Sequence, residues 1–104
     1  MKTDLPVACS LMPAELHERR RTILADVRSA VLEERELDNG FSYRFPADPR
    51  WIAELAKLVE VEHQCCPFLR FRVTVEPSDG PIWLEMTGPA GTKEFLTDIF
   101  TPPK

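Results

Sequence analysis

Apolar positions along the chain recur at two different spacings, which predict two types of element. Two stretches have the three- and four-residue spacing that places side chains on one face of a helix. The first predicts a helix over residues 13–29 and has these apolar positions: Leu16, Ile23, Leu24, Val27 and Val31. The second predicts a helix from Pro49 to about residue 64, and its face is traced by Trp51, Ile52, Leu55, Leu58, Val59 and Glu62.

Alternating apolar and polar residues elsewhere predict two hairpins of antiparallel strands. An Asn-Gly turn separates predicted strands at residues 31–37 and 41–46. A Pro-Ser-Asp-Gly turn separates predicted strands at residues 69–75 and 82–86. Pro67 ends the helix that precedes the second hairpin, because its ring disfavours helical geometry in the residue before it. Each hairpin therefore follows one of the two predicted helices.

The ends of the chain add one strand and one helix. A short apolar run predicts a first strand at residues 5–11, and residues 89–100 predict a closing helix. The order β-α-β-β-α-β-β-α contains the βαββαβ pattern of ferredoxin-like folds. We therefore expect one α+β domain over residues 1–104, a ferredoxin-like sandwich extended by a C-terminal strand and helix. One sheet face is expected to be open or to form a homodimer, and it has Arg44, Arg70, Arg72 and Trp83.

Composition and charge exclude several classes of protein. Hydrophobic residues make up 43% and charged residues 29% of the chain, which is the mixture of ordinary globular domains. The sequence has no apolar run long enough to cross a bilayer and no secretory signal at its start, so we expect a cytoplasmic protein without a membrane partner. A net charge of −4 argues against a nucleic-acid partner. The basic run Arg19-Arg20-Arg21 is interpreted as the solvated face of the first helix.

The candidate chemistry is concentrated in three cysteines, two of which are adjacent. An odd number with an adjacent pair is a poor framework for structural disulfides, so we expect free thiols in a reducing compartment. Cys65 and Cys66 lie where the second helix ends. Because the first and fourth strands of a ferredoxin-like sheet are neighbours, Cys9 near the end of the first strand is expected to reach the same edge.

Three converging thiols predict a site for a soft ion, because thiolates select Hg(II), As(III), Cu(I) or Zn(II) over hard cations. Adjacent thiols are poorly spaced for a tetrahedral zinc site, which favours a two- or three-coordinate ion held by Cys65, Cys66 and Cys9. The negative end of the helix opposes ionisation of the pair unless an ion supplies charge. This favours capture of a metal or metalloid ion over nucleophilic attack by a free thiol.

Two neighbouring residue types are weaker candidates for the same site. Glu62 continues the apolar stripe of the second helix and lies one turn before the cysteines, so we expect a half-buried carboxylate there. His63 lies on the same last turn, and His17 lies in the first turns of the first helix. Both histidines are candidate ligands, and Glu62 is also a candidate catalytic acid.

Three alternatives use the same residues differently. In an enzyme acting on organometal compounds, two thiolates would hold the metal while Glu62 delivers a proton to carbon. In a redox protein, Cys9 would form a reversible disulfide with Cys65 or Cys66, since a ring between adjacent residues is strained. In a structural or interaction module, the cysteines would be packed as small hydrophobic side chains.

One segment resembles a group of small uncharacterised bacterial proteins that are associated with mercury- and arsenic-resistance gene neighbourhoods. It has the motif Glu-x-x-Cys-Cys-Pro-Phe from Glu62 to Phe68 and continues through Phe71, with Cys9 upstream and residues 84–89 downstream. The similarity spans most of the chain. It implies a heavy-metal context and supplies no catalytic assignment.

Overall fold

The structure is a computed structural model that describes residues 13–100, and the structural statements below refer to that part of the chain. Its helices are α1 (Ala14–Ser29), α2 (Arg50–Cys65) and α3 (Thr92–Ile99). Its strands are β1 (Glu33–Leu37), β2 (Gly40–Phe45), β3 (Arg70–Val75) and β4 (Ile82–Thr87). The predicted strand at residues 5–11 and Cys9 lie outside the described residues. No helix between residues 13 and 100 is long and apolar enough to span a membrane.

The ends of α2 are set by local sequence. The Arg50 N–H at its start donates to Asp48 Oδ1 at 3.0 Å, so that aspartate satisfies one of the first amide groups. The helix ends at Cys65, two residues before Pro67. These bounds agree with the helix predicted from residue 49 to about residue 64.

The four strands form one sheet in the order β1-β2-β4-β3, and all neighbouring strands are antiparallel. The two hairpins predicted from the turns are confirmed. Between them, β4 pairs with β2 so closely that a Cβ on Gly40 would overlap the carbonyl oxygen of Met86. A residue without a side chain is therefore required at that position.

The α+β class and the antiparallel sheet are confirmed, whereas the ferredoxin-like specifics are not. β4 is hydrogen-bonded to β2 on one side and to β3 on the other. β4 therefore lies in the central position between β2 and β3. In a ferredoxin-like sheet, that position belongs to the strand that precedes the first helix. The short turn between β3 and β4 accounts for the pairing of those two strands, whereas the pairing of β4 with β2 is a long-range contact.

The core lies between one face of the sheet and the helices. Along β4 the buried residues Ile82, Leu84 and Met86 alternate with the partly exposed Trp83 and Glu85. From α2 and α3 the fully buried side chains of Leu55, Leu58 and Leu96 complete the core. The opposite face of the sheet has the expected arginines around Trp83, and the Arg35 guanidinium lies 4.4 Å from the centre of its ring.

Candidate functional site at the end of the second helix

The two adjacent cysteines are held by the backbone at the junction of α2 and β3. Cys65 is the last residue of α2, and the Cys66 N–H donates to the Glu62 carbonyl oxygen at 2.6 Å. The Cys66 carbonyl then accepts the Leu69 N–H at 3.1 Å, which closes a turn around Pro67. Both cysteines are therefore fixed in position before any ligand arrives.

Both thiols are buried. Cys65 and Cys66 have no solvent-exposed area, and both belong to the hydrophobic core. Cys65 lies seven residues after Leu58 and three after Glu62, so it continues the buried stripe of α2. A ligand that reaches these sulfurs has to enter a region from which water is excluded.

A buried ion pair connects α1 to this end of α2. Arg20 and Glu62 are only 8% and 1% exposed. Two N–H groups on one edge of the guanidinium donate to the two carboxylate oxygens, Nε to Oε2 at 2.6 Å and Nη2 to Oε1 at 3.2 Å. A bidentate pair of this kind is the arrangement that lets two opposite charges remain ionised away from water.

The Cys66 sulfur contacts both members of that ion pair. Its thiol donates to Glu62 Oε1 at 3.5 Å, and Arg20 Nη2 lies 3.8 Å from the same sulfur. The carboxylate is thus placed to accept the thiol proton, and the guanidinium is placed to stabilise the thiolate that results. Arg20, Glu62 and Cys66 form one buried cluster, which we call the Arg-Glu-Cys cluster.

The presence of Arg20 in this cluster corrects the sequence interpretation of the basic run at residues 19–21. Its neighbours Arg19 and Arg21 are solvated as expected, with 51% and 67% of their side chains exposed. Arg20 itself is buried, so the interpretation of the whole basic run as a solvated face was wrong at this residue. The available signal was its spacing, four residues after Leu16 and four before Leu24, which places it on the apolar stripe of α1.

Of the weaker predicted ligands, Glu62 lies in the buried cluster and the two histidines do not. Glu62 is more deeply buried than the half-burial that we expected. His63 and His17 are both exposed, and neither is part of the Arg-Glu-Cys cluster. Within residues 13–100, no group of three or more His, Cys, Asp or Glu side chains is arranged to hold a metal ion. Cys9, the third predicted thiol, lies outside this range.

Comparison of the chain with protein-family models, with curated proteins and with solved structures gives no match. A function for the protein is therefore inferred from the chemistry of the site. Its distinctive feature is a buried thiol in contact with a carboxylate and a guanidinium, beside a second buried thiol in the next residue.

Proposed function

We propose that this protein binds a soft metal or metalloid ion through the thiolates of Cys65 and Cys66 and acts in heavy-metal handling. Cys9, which lies outside the described residues, is proposed as a third thiolate. The observation that carries the proposal is the contact of the Cys66 sulfur with both Glu62 and Arg20. A thiol used only for packing requires neither a carboxylate nor a guanidinium at its sulfur.

The cluster supports the proton transfer that metal capture requires. A thiol must lose its proton before its sulfur can bind an ion. Glu62 Oε1, 3.5 Å from the Cys66 sulfur, accepts this proton as the sulfur–metal bond forms. Arg20 Nη2, 3.8 Å from the same sulfur, offsets the negative charge of the thiolate until the ion arrives. The proton then passes from Glu62 to water, and the Cys65 thiol loses its own proton to water as its sulfur binds the ion.

Burial favours particular ions. An ion that enters exchanges its hydration shell for sulfur ligands, which costs least for soft ions such as Hg(II) and most for hard cations. Hg(II) with two thiolates is uncharged, as is As(III) with three. Uncharged complexes suit a site in which Arg20 and Glu62 already neutralise each other and both sulfurs are buried. We therefore place Hg(II) and As(III) before Cu(I) and Zn(II).

Titration of the reduced full-length chain with Hg(II) or arsenite tests this proposal. Binding is followed by the absorption of sulfur-to-metal charge transfer. We expect the absorption to be strongly reduced in Cys65→Ser and in Cys66→Ser. His63→Ala is the matched control on the same helical turn and should leave the titration unchanged, since His63 is exposed. If both serine variants titrate like the parent chain, the cysteines only pack in the core and the proposal is wrong.

The contact between Glu62 and Cys66 also favours a second candidate, an enzyme that cleaves organometal compounds. The Cys66 thiolate would bind an alkyl or aryl mercury cation while Glu62 retains the transferred proton. Delivery of that proton to carbon forms the C–H bond as the carbon–mercury bond breaks, and the Cys65 sulfur takes up the released coordination position as its thiol proton is lost to water. Hydrocarbon release from a mercurial would show this activity. Glu62→Gln should abolish turnover while Hg(II) binding persists.

The cellular setting is part of the proposal. We place the protein in the cytoplasm, where adjacent thiols stay reduced. A homodimer through the open sheet face remains a prediction, as does the absence of nucleic-acid and membrane partners. A disulfide between Cys9 and either Cys65 or Cys66 remains the redox alternative. Mass spectrometry after mild oxidation would detect it as a loss of two hydrogens per chain.

A further inference from the structure

Strand β3 is last in the strand order and leaves apolar side chains uncovered. Among the described residues it pairs only with β4. Val73 and Val75 lie on the core-facing side of the sheet with their partners Leu84 and Ile82. The partners are 0% and 2% exposed, whereas Val73 and Val75 are 40% and 50% exposed. An apolar strand with an open edge is a surface to which a strand of another chain can pair.

The ladder with β4 determines which backbone groups of β3 point to that edge. The Glu76 N–H donates to the Pro81 carbonyl oxygen at 3.2 Å, which continues the register of β3 and β4 by one pair. The residues of an antiparallel strand alternate between those that bond to one neighbour and those that point to the other side. Phe71, Val73 and Val75 therefore direct their N–H and C=O groups away from β4.

The apolar side of β3 is complementary to itself when two copies run antiparallel about Val73. This register places the two Val73 residues opposite each other and pairs Phe71 of each copy with Val75 of the other. Because the backbone groups of these residues point outward, each pair exchanges two hydrogen bonds. Pairs of β-branched side chains, and pairs of an aromatic with a β-branched side chain, stabilise neighbouring strands.

The polar side of β3 is complementary in the same register. Arg70 of each copy lies opposite Glu76 of the other, and Arg72 lies opposite Thr74. All four side chains are exposed in the single chain. Opposite charges directly across from each other are favourable, so both ends of the contact gain an attraction between arginine and glutamate.

We propose that a second copy of this chain pairs with β3 as an antiparallel strand centred on Val73, which joins two sheets into one. A register centred on Arg72 would place two arginines opposite each other. A register centred on Thr74 would place Phe71 opposite Pro77, which has no N–H to donate. This contact lies at the edge of the sheet and is separate from the open face around Trp83. It does not depend on metal binding.

Sedimentation equilibrium of the reduced, metal-free, full-length chain tests the proposal and should show a monomer–dimer equilibrium. Val73→Asp places two carboxylates opposite each other at the centre of the contact, so it should raise the dimer dissociation constant about tenfold or more. Ile52→Asp on α2 is the matched control, since Ile52 is 43% exposed and Val73 is 40% exposed. This control should leave the dissociation constant unchanged.

Charge reversal tests the register. Arg70→Glu and Glu76→Arg each place like charges opposite each other at both ends of the contact, so each variant alone should dimerise about tenfold more weakly. A mixture of the two variants restores opposite charges at both ends. Their heterodimer should therefore form with about the dissociation constant of the parent chain. Circular dichroism checks that both variants remain folded.

Three results would overturn the inference. The parent chain would remain a monomer at millimolar concentration. Trp83→Ala would abolish a dimer that Val73→Asp leaves intact, which would assign the contact to the open face. The mixture of charge-reversed variants would dimerise no better than either variant alone. None of these outcomes bears on whether Cys65 and Cys66 bind an ion, so the two proposals are tested separately.

Discussion

Replacement of Arg20 by methionine should destabilise the protein far more than its position in a basic run suggests. Arg20→Met leaves the Glu62 carboxylate, which is 1% exposed, without the guanidinium that binds both of its oxygens. Removal of one partner from a buried ion pair typically costs about 3–5 kcal/mol, because the remaining charge stays buried. A small domain has about 5–15 kcal/mol of stability in total, so this single change removes a large part of it.

Arg19→Met is the matched control, with the same substitution one residue earlier. Arg19 also binds a glutamate of α2, since Nη2 lies 3.3 Å from Glu60 Oε1. That pair is 51% and 62% exposed and is expected to contribute only about 0–1 kcal/mol. The difference between the two variants therefore measures burial at constant side-chain chemistry.

A double variant separates the loss of the pair from the burial of a lone charge. Arg20→Met combined with Glu62→Met removes both charges and leaves apolar side chains of similar length. Its free energy of unfolding should return to within about 2 kcal/mol of the parent value. Urea unfolding followed by circular dichroism gives these values. The reasoning is refuted if Arg20→Met costs no more than Arg19→Met, or if the double variant is less stable than Arg20→Met alone.

Three further predictions concern the sheet. Burial and the Glu34 carboxylate raise the pKa of Tyr43, the single tyrosine, so the free energy of unfolding should fall above about pH 10 and phenolate absorbance should appear only on unfolding. Tyr43→Phe should remove this loss of stability. Phenolate absorbance from the folded chain would contradict the prediction. Hydrogen bonds from Arg35 and Arg44 lower the pKa of the partly exposed Glu33, which adds slight stability that is lost as pH falls. A titration of Glu33 by nuclear magnetic resonance with the pKa of an ordinary glutamate would contradict this. Gly40→Ala should lower the melting temperature, since its Cβ overlaps the Met86 carbonyl, and an unchanged value would contradict that contact.

The local elements were predictable because short-range signals determine them. The Asn39-Gly40 turn, the proline after the cysteines and the spacing of apolar residues place both hairpins and all three described helices within a few residues. Partial burial of Glu62 was also indicated, since it continues the apolar stripe of α2, and the structure buries it more deeply than the sequence predicted. In each case the signal and the structure that it determines lie within one or two turns of chain.

The strand order and the partner of Glu62 were not predictable in this way. Ferredoxin-like pairing and the observed order share nearly the same series of elements, and long-range contacts decide between them. Arg20 binds a carboxylate 42 residues away, and two exposed arginines beside it hide its position on the apolar stripe. A buried charge has to be matched to its partner, and sequence spacing alone does not identify that partner.

The most direct test of the proposed function is the number of sulfur ligands on a bound ion. X-ray absorption spectroscopy of the Hg(II)-loaded, full-length Cys9→Ser variant counts those that Cys65 and Cys66 supply. The account predicts two sulfur ligands on mercury, and one when Cys66→Ser is added. Coordination of mercury by nitrogen or oxygen alone, or an unchanged number of sulfur ligands after the second substitution, would contradict it.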